Sequence, residues 1–163
     1  ALAGGADPGG PDRGPPRGRA AGGPGGAGPR PPAPAPARKA EPAPKGVKAT
    51  LEQARKLRAR GQIEQALALY AQAAADEPGN ATALAGRGWC HLELSQYLPA
   101  EQSFRAALEA DPRSADALFG MAETHRYMGK KSEAVTFYER FLAAHPDGED
   151  AVAARNAISQ LRE

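Results

Sequence analysis

Four side chains in this sequence have types that ligate metals or act as nucleophile and base: Cys90, His91, His125 and His145. A Cys–His pair makes a nucleophile when the imidazole takes the thiol proton. Zinc needs three or four convergent ligands. Neither chemistry fits the spacing. Cys90 and His91 are consecutive, and consecutive side chains on a helix point roughly 100° apart, so they do not converge on one atom. His91 and His125 are 34 residues apart, and His145 precedes Pro146 with no partner in sequence. Satisfied histidines at the core edge are the expectation for His91 and His125. The glycine cluster of residues 1–28 follows no predicted strand, so it is no phosphate-cradling loop. No catalytic residue, no metal and no cofactor are expected.

The spacing of the histidines points to the elements that carry them. Pro78, Pro112 and Pro146 are also separated by 34 residues, as are Ala66, Ala100 and Ala134, then Tyr70, Phe104 and Tyr138, then Gly61, Ser95 and Gly129. Such a period marks an array of one repeated supersecondary unit. The units span 47–80, 81–114 and 115–148. Each reads as two helices. Leu84, Gly88, His91 and Leu92 lie on one helical face; Ala100, Phe104, Ala107 and Leu108 lie on a second. Pro99 falls in a first helical turn, where its missing N–H costs little. Asn80 and Ser114 stand as N-caps, and Gly61 and Gly129 where a left-handed residue ends a helix. Ala54, Gly88 and Ala122 recur where the two helices of a hairpin touch, facing Ala66, Ala100 and Ala134. The aromatics at 70, 104 and 138 fill the gap between neighbouring hairpins. Residues 149–162 form a further helix with Ala151, Ala154, Ile158 and Leu161 as its apolar stripe, seven helices in all.

A small residue early, Gly at the turn, then Ala, an aromatic, Ala and a closing Pro: in these residues the chain resembles the tetratricopeptide repeat over 47–148. Gln53, Arg87 and Thr50 depart from the large apolar residues usual at their positions; Met121 conforms. The polar first helix suits an array that starts there, and residues 149–163 resemble the capping helix of such arrays. The resemblance implies an all-α, right-handed α-solenoid of three helix hairpins plus a C-terminal cap. It also implies that free side chains of each first helix line a concave face. Those positions are Lys48, Leu51, Arg55, Arg58 and Ala59, then Thr82, Ala85, Trp89, Leu92 and Glu93, then Asp116, Phe119, Glu123, Arg126 and Tyr127. Leu51, Arg55, Arg58, Trp89, Leu92, Phe119, Glu123, Arg126 and Tyr127 are the candidate partner-binding residues. Trp89 reads either as an anchor or as packing between first helices. Arg55, Arg58 and Arg126 read as partners for ligand carboxylates or as a solvated face.

The implied function is a non-enzymatic scaffold that binds a peptide or helix of a partner protein in the concave groove. Two other readings are a C-terminal regulatory or docking module of a larger signalling, motility or secretion protein, and a chaperone like those of type III secretion. The latter carry a helical N-terminal arm for dimerising, whereas residues 1–46 are not expected to be helical. In members that grip heat-shock chaperone C-termini, a Lys/Asn/Asn/Lys/Arg clamp does so. Leu51, Arg55, Gly86, Asp116 and Gly120 stand at those places, so that partner is not expected.

Composition separates the rest of the chain from the array. Of 163 residues, 19 are Gly and 16 Pro, and residues 1–45 hold 11 of the former and 12 of the latter. That segment has one large apolar side chain, Leu2, too little to offset about 1–2 kcal/mol per residue of backbone ordering. Residues 1–46 are expected as a disordered Gly/Pro/Ala-rich linker, with an extended polyproline stretch over 29–45. The linker carries seven basic and three acidic side chains and the remainder 14 and 16, so the net +2 hides a +4 arm and a −2 array. A basic arm this dilute and without aromatics is no nucleic-acid footprint. No apolar run reaches the ~18 residues of a membrane span. A lone cysteine and no visible signal peptide point to the cytoplasm, unless the chain is a processed piece of a longer one; a monomer is expected rather than an obligate oligomer.

Overall fold

The computed structural model describes residues 46–163. The expected linker, apart from Gly46, lies outside the described residues. The described chain is helical: α1 (Val47–Ala59), α2 (Ile63–Asp76), α3 (Ala81–Glu93), α4 (Tyr97–Ala110), α5 (Ala115–Tyr127), α6 (Lys131–Ala144) and α7 (Glu149–Arg162). Consecutive helices pack in pairs, and α3 also contacts α1 and α5. The product is a solenoid of three helix hairpins, with α7 laid against α6.

Local chemistry sets every boundary. Asn80 Oδ1 accepts the Ala83 N–H at 3.0 Å and Ser114 Oγ the Ala117 N–H at 3.4 Å, capping α3 and α5. The turn inside each hairpin repeats one double closure. Gln62, Gln96 and Lys130 donate to the carbonyls of Leu57, His91 and His125 at 2.8–2.9 Å, while Gly61, Ser95 and Gly129 donate to Arg58, Leu92 and Arg126. That closure needs a left-handed residue, and Gly61, Ser95 and Gly129 have φ of +73°, +59° and +74°. Ser95 holds this conformation against its own Cβ. Between hairpins, Pro78, Pro112 and Pro146 drive the preceding residue out of helical space. Glu77, Asp111 and His145 accordingly have φ between −132° and −141°, ending α2, α4 and α6.

Small residues let the helices approach, and aromatics then lock them. Ala54, Ala66, Ala100, Ala122 and Ala134 are fully buried, as are Phe104 and Tyr138, with Tyr70 nearly so. A Cβ on Gly86 would overlap the Tyr70 ring, and one on Gly120 the Phe104 ring; one on Gly88 would lie 2.7 Å from Phe104. The rings of Tyr70 and Phe104 thus sit in the space left by a glycine on the first helix of the next hairpin. In the cap, Ala154 takes the same register position and shares a core cluster with Tyr138.

The polar departures from the repeat pattern are accommodated by hydrogen bonds. Thr50 is buried, and its hydroxyl donates to the Gly46 carbonyl at 3.1 Å. Arg87 Nε donates to Ser103 Oγ at 3.1 Å, and that hydroxyl donates to the Pro99 carbonyl at 2.9 Å, tying α3 to α4.

Gly120→Val should destabilise the array by about 1–3 kcal/mol, because the ring it displaces has no space to enter. Gly79→Ala, which meets nothing within 4 Å, should change the urea midpoint by less than about 0.5 kcal/mol equivalent. Ser95→Gly, relieving a left-handed non-glycine residue, should raise stability by about 1 kcal/mol in the same assay.

Candidate functional site

First-helix residues at spacings of three and four share a helix face, and the expected concave positions fall into three groups. Ala85 and Leu92 are buried. Leu51 and Phe119 both pack partly into the core, Phe119 meeting Tyr138 and Phe141 edge-on at 5.5 and 5.3 Å. Arg58, Trp89, Leu92, Glu123 and Tyr127 come together around one pocket of about 310 Å³. Arg55 lies outside it, beside Arg58 in a shallower hollow of about 250 Å³. Arg126 sits at the pocket's edge through its contacts to Glu123 and Tyr127.

Both readings of Trp89 hold in part. Its ring meets Phe104 edge-on at 5.5 Å and stacks on Phe119 at 6.4 Å, so it packs between α3 and α5. It is nevertheless only partly buried and forms a pocket wall. Tyr127, 55% exposed, lies parallel to Tyr97 at 6.0 Å. Tyr97 and Ser95 also line the pocket, although sequence reasoning did not place them there. The register did mark Ser95 as the turn residue, and Tyr97 follows two positions later.

Two of the three arginines of the face, Arg58 and Arg126, are engaged within the fold. Arg58 Nε donates to Glu93 Oε1 at 2.6 Å, and its guanidinium lies 5.3 Å from the Trp89 ring centre. Arg126 donates to Glu123 Oε2 at 2.6 Å and lies 4.8 Å from the Tyr127 ring centre. The Tyr138 hydroxyl donates to the other Glu123 oxygen. The hydrogen bond to Glu123 holds the Arg126 guanidinium well above its usual range, while burial, with Glu123 beside it, pushes the Tyr138 phenol up. Arg55 makes no ion pair among the described residues, leaving it the one arginine of the three in the solvated state.

The chemistry-bearing residues do not assemble. Cys90 is fully buried, and burial pushes its thiol up to about 11, so it stays protonated and unreactive. His91 Nδ1 pairs with Gln96 Oε1 at 2.7 Å, as expected of a satisfied histidine. His145 Nε2–H donates to the Arg113 carbonyl at 2.7 Å, a partner not visible in sequence. His125 departs from the expectation of a satisfied residue. It is only 7% exposed and stacks on Phe137 at 5.4 Å, yet its Nδ1 has no hydrogen-bond partner. The ring lines a hollow with Leu108, Met121 and Phe137 and with Glu101, Arg105, Glu109 and Arg140, none of which hydrogen-bonds Nδ1. Among the described residues no cluster of His, Cys, Asp or Glu could hold a metal, and no helix is long and apolar enough to cross a membrane.

A stack of helix hairpins with an aromatic, internally paired face on its first helices defines an α-solenoid interaction domain. Residues 51–115 and 95–158 match two tetratricopeptide-repeat models, and the chain belongs to the tetratricopeptide-repeat family. Among solved structures, the first TPR domain of human RPAP3 is 22% identical, with 71% of this chain and 91% of that one aligned at a TM-score of 0.67. The Arabidopsis OM64 TPR domain is likewise 22% identical, over 71% and 93%, at 0.67. The first TPR of Spaghetti (RPAP3), bound to an HSP90 peptide, is 20% identical over 72% and 94%, at 0.65. At such identities the likeness establishes the fold. Among curated proteins, the probable UDP-N-acetylglucosamine–peptide N-acetylglucosaminyltransferase SPINDLY of Petunia hybrida is 31% identical over 90 residues, 55% of this chain. The match spans 10% of that protein's length.

His125 makes stability depend on pH. Burial lowers its affinity for a proton, with Lys130 and Arg105 acting alike and Glu101 and Glu133 opposing. The folded state therefore binds fewer protons than the unfolded one just below the ordinary imidazole value of 6.5. The stabilising contribution is full above that value and is lost as pH falls toward the lowered native one. His125→Phe should flatten the fall in unfolding free energy across this window; parallel profiles for variant and wild type would contradict it.

Proposed function

We propose that this protein is a non-enzymatic interaction scaffold that holds a peptide or helix of a partner protein against the concave face of α1, α3 and α5. The observation that carries the reading is the pocket walled by Trp89, Tyr97 and the largely exposed Tyr127. Aromatic side chains dominate binding energy where a partner can desolvate them. The related solved domains support it: those of Spaghetti (RPAP3) and human RPAP3 carry HSP90 and HSP70 peptides.

A chaperone C-terminus is not the partner this reading favours. Two of the five clamp positions are Gly86 and Gly120, where added side chains would meet Tyr70 and Phe104. Arg58, the cation nearest the pocket, already faces Glu93. The reading of the array as one module of a longer protein is favoured by the Petunia relative, in which the matched segment is a tenth of the whole. That likeness carries no transferase activity to this chain.

Capture from cell extract by the full chain tests the scaffold. The exposed pair Arg55→Ala and Tyr127→Ala should release the partner while helical circular dichroism stays unchanged. Full retention of every captured protein would refute the concave face as the binding surface.

A further inference from the structure

Resting on the concave-groove reading, we infer that Ser95, in the turn between α3 and α4, is a contact residue of the concave pocket. Its hydroxyl hydrogen-bonds a neutral polar group of the bound segment and so selects among partners. The serine is held there at a cost in stability that the turn itself does not require.

The cost is visible by comparison within the molecule. Three hairpin turns close in the same way, and each needs a left-handed residue. Gly61 and Gly129 supply it at φ of +73° and +74°, whereas Ser95 does so at +59° with a Cβ attached. Left-handed backbone is unfavourable for a residue that carries a Cβ. Asn and Asp offset that cost by bonding nearby backbone with their own side chains. Ser95 forms no such bond, and its hydroxyl has no partner among the described residues. At the two equivalent turns an added Cβ would meet nothing within 4 Å, so these turns have no gap for a side chain to fill.

Position separates Ser95 from the two glycines. Of the three turn residues it is the one that lines the pocket of about 310 Å³, together with Glu93 and Tyr97 on either side of it in sequence. It is exposed, so a bound segment reaches its hydroxyl without displacing anything of the chain. Much of the other lining is already engaged: Arg58 pairs with Glu93, Glu123 with Arg126, and Tyr97 stacks on Tyr127. The Ser95 hydroxyl is uncommitted by contrast. Backbone strain persists where the surroundings over-determine it, and it gathers at ligand sites. Here the strained residue and the pocket coincide.

A hydroxyl both donates and accepts. It therefore meets a main-chain peptide unit, or an amide or hydroxyl side chain, in either sense, and brings no charge to be matched. What it discriminates against is an apolar group set on the turn, which would leave the hydroxyl desolvated and unpaired.

The probe is a peptide selected from a random dodecapeptide display library on the full chain and counter-selected on Tyr127→Ala, so that its binding depends on the pocket. Its affinity is measured for wild type, Ser95→Gly and Ser95→Ala, beside the urea midpoint of each. Ser95→Gly removes strain and hydroxyl together; Ser95→Ala removes the hydroxyl and keeps the Cβ. The expected result is an affinity about fivefold weaker in both variants, the loss of one neutral hydrogen bond. The urea midpoint should rise for Ser95→Gly and stay near wild type for Ser95→Ala. A residue with only a structural role would not weaken binding as stability rises. Unchanged affinity in both variants overturns the proposal. So does weakening by one of them alone, which for Ser95→Gly would assign the effect to a looser turn. Those outcomes leave the concave-groove reading in place, because the peptide still depends on Tyr127. A library that yields no peptide sensitive to Tyr127→Ala overturns both.

Discussion

The array depends on one steric arrangement, the seating of a second-helix aromatic against a glycine on the first helix of the next hairpin. Tyr70 over Gly86 and Phe104 over Gly120 fix how far apart successive hairpins sit and which way each is turned. Close packing leaves the ring one position, since interiors have few voids to shift into. Phe104 also touches Trp89 edge-on, so the contact that spaces the hairpins helps orient the ring that walls the concave pocket. A change to the lock would therefore register on the binding face without touching a ligand.

Electrostatics on that face follow from the same spacing. Arg58 of α1 reaches Glu93 of α3 because the first two hairpins are held at the distance the Tyr70–Gly86 contact allows. Glu123, whose side chain is largely buried, receives Arg126 from its own helix and the Tyr138 hydroxyl from α6. Partly exposed ion pairs contribute little to stability. Their larger consequence here is selective: they engage Arg58 and Arg126 within the fold and leave Arg55 as the arginine of this face without an ion pair among the described residues.

The helix ends at the turns were legible in the sequence because each rests on local chemistry. Gly61 and Gly129 close their turns, Asn80 and Ser114 cap their helices, and the prolines end theirs, each acting on backbone within a few residues. The site was legible only as a face. Register placed Trp89, Glu123 and Tyr127 on one side of the stack, but pairing of Arg58 with Glu93, or Tyr97 with Tyr127, depends on distances between helices that no local pattern encodes. The same limit hid the role of Gly86 and Gly120, which resemble ordinary small residues until the ring from the preceding hairpin is in place. It also hid His125, which is buried without a partner for Nδ1 only once α4 and α6 have packed against α5.

The central claim is that the partner lies on the first-helix face. Chemical-shift mapping of the isotope-labelled chain with its captured partner tests it most directly. The account predicts that the Trp89 indole and the amides around Arg55, Glu93 and Tyr127 shift, while the outward faces of α2, α4 and α6 stay still. Shifts confined to those outward faces, with the Trp89 indole unmoved, would contradict it.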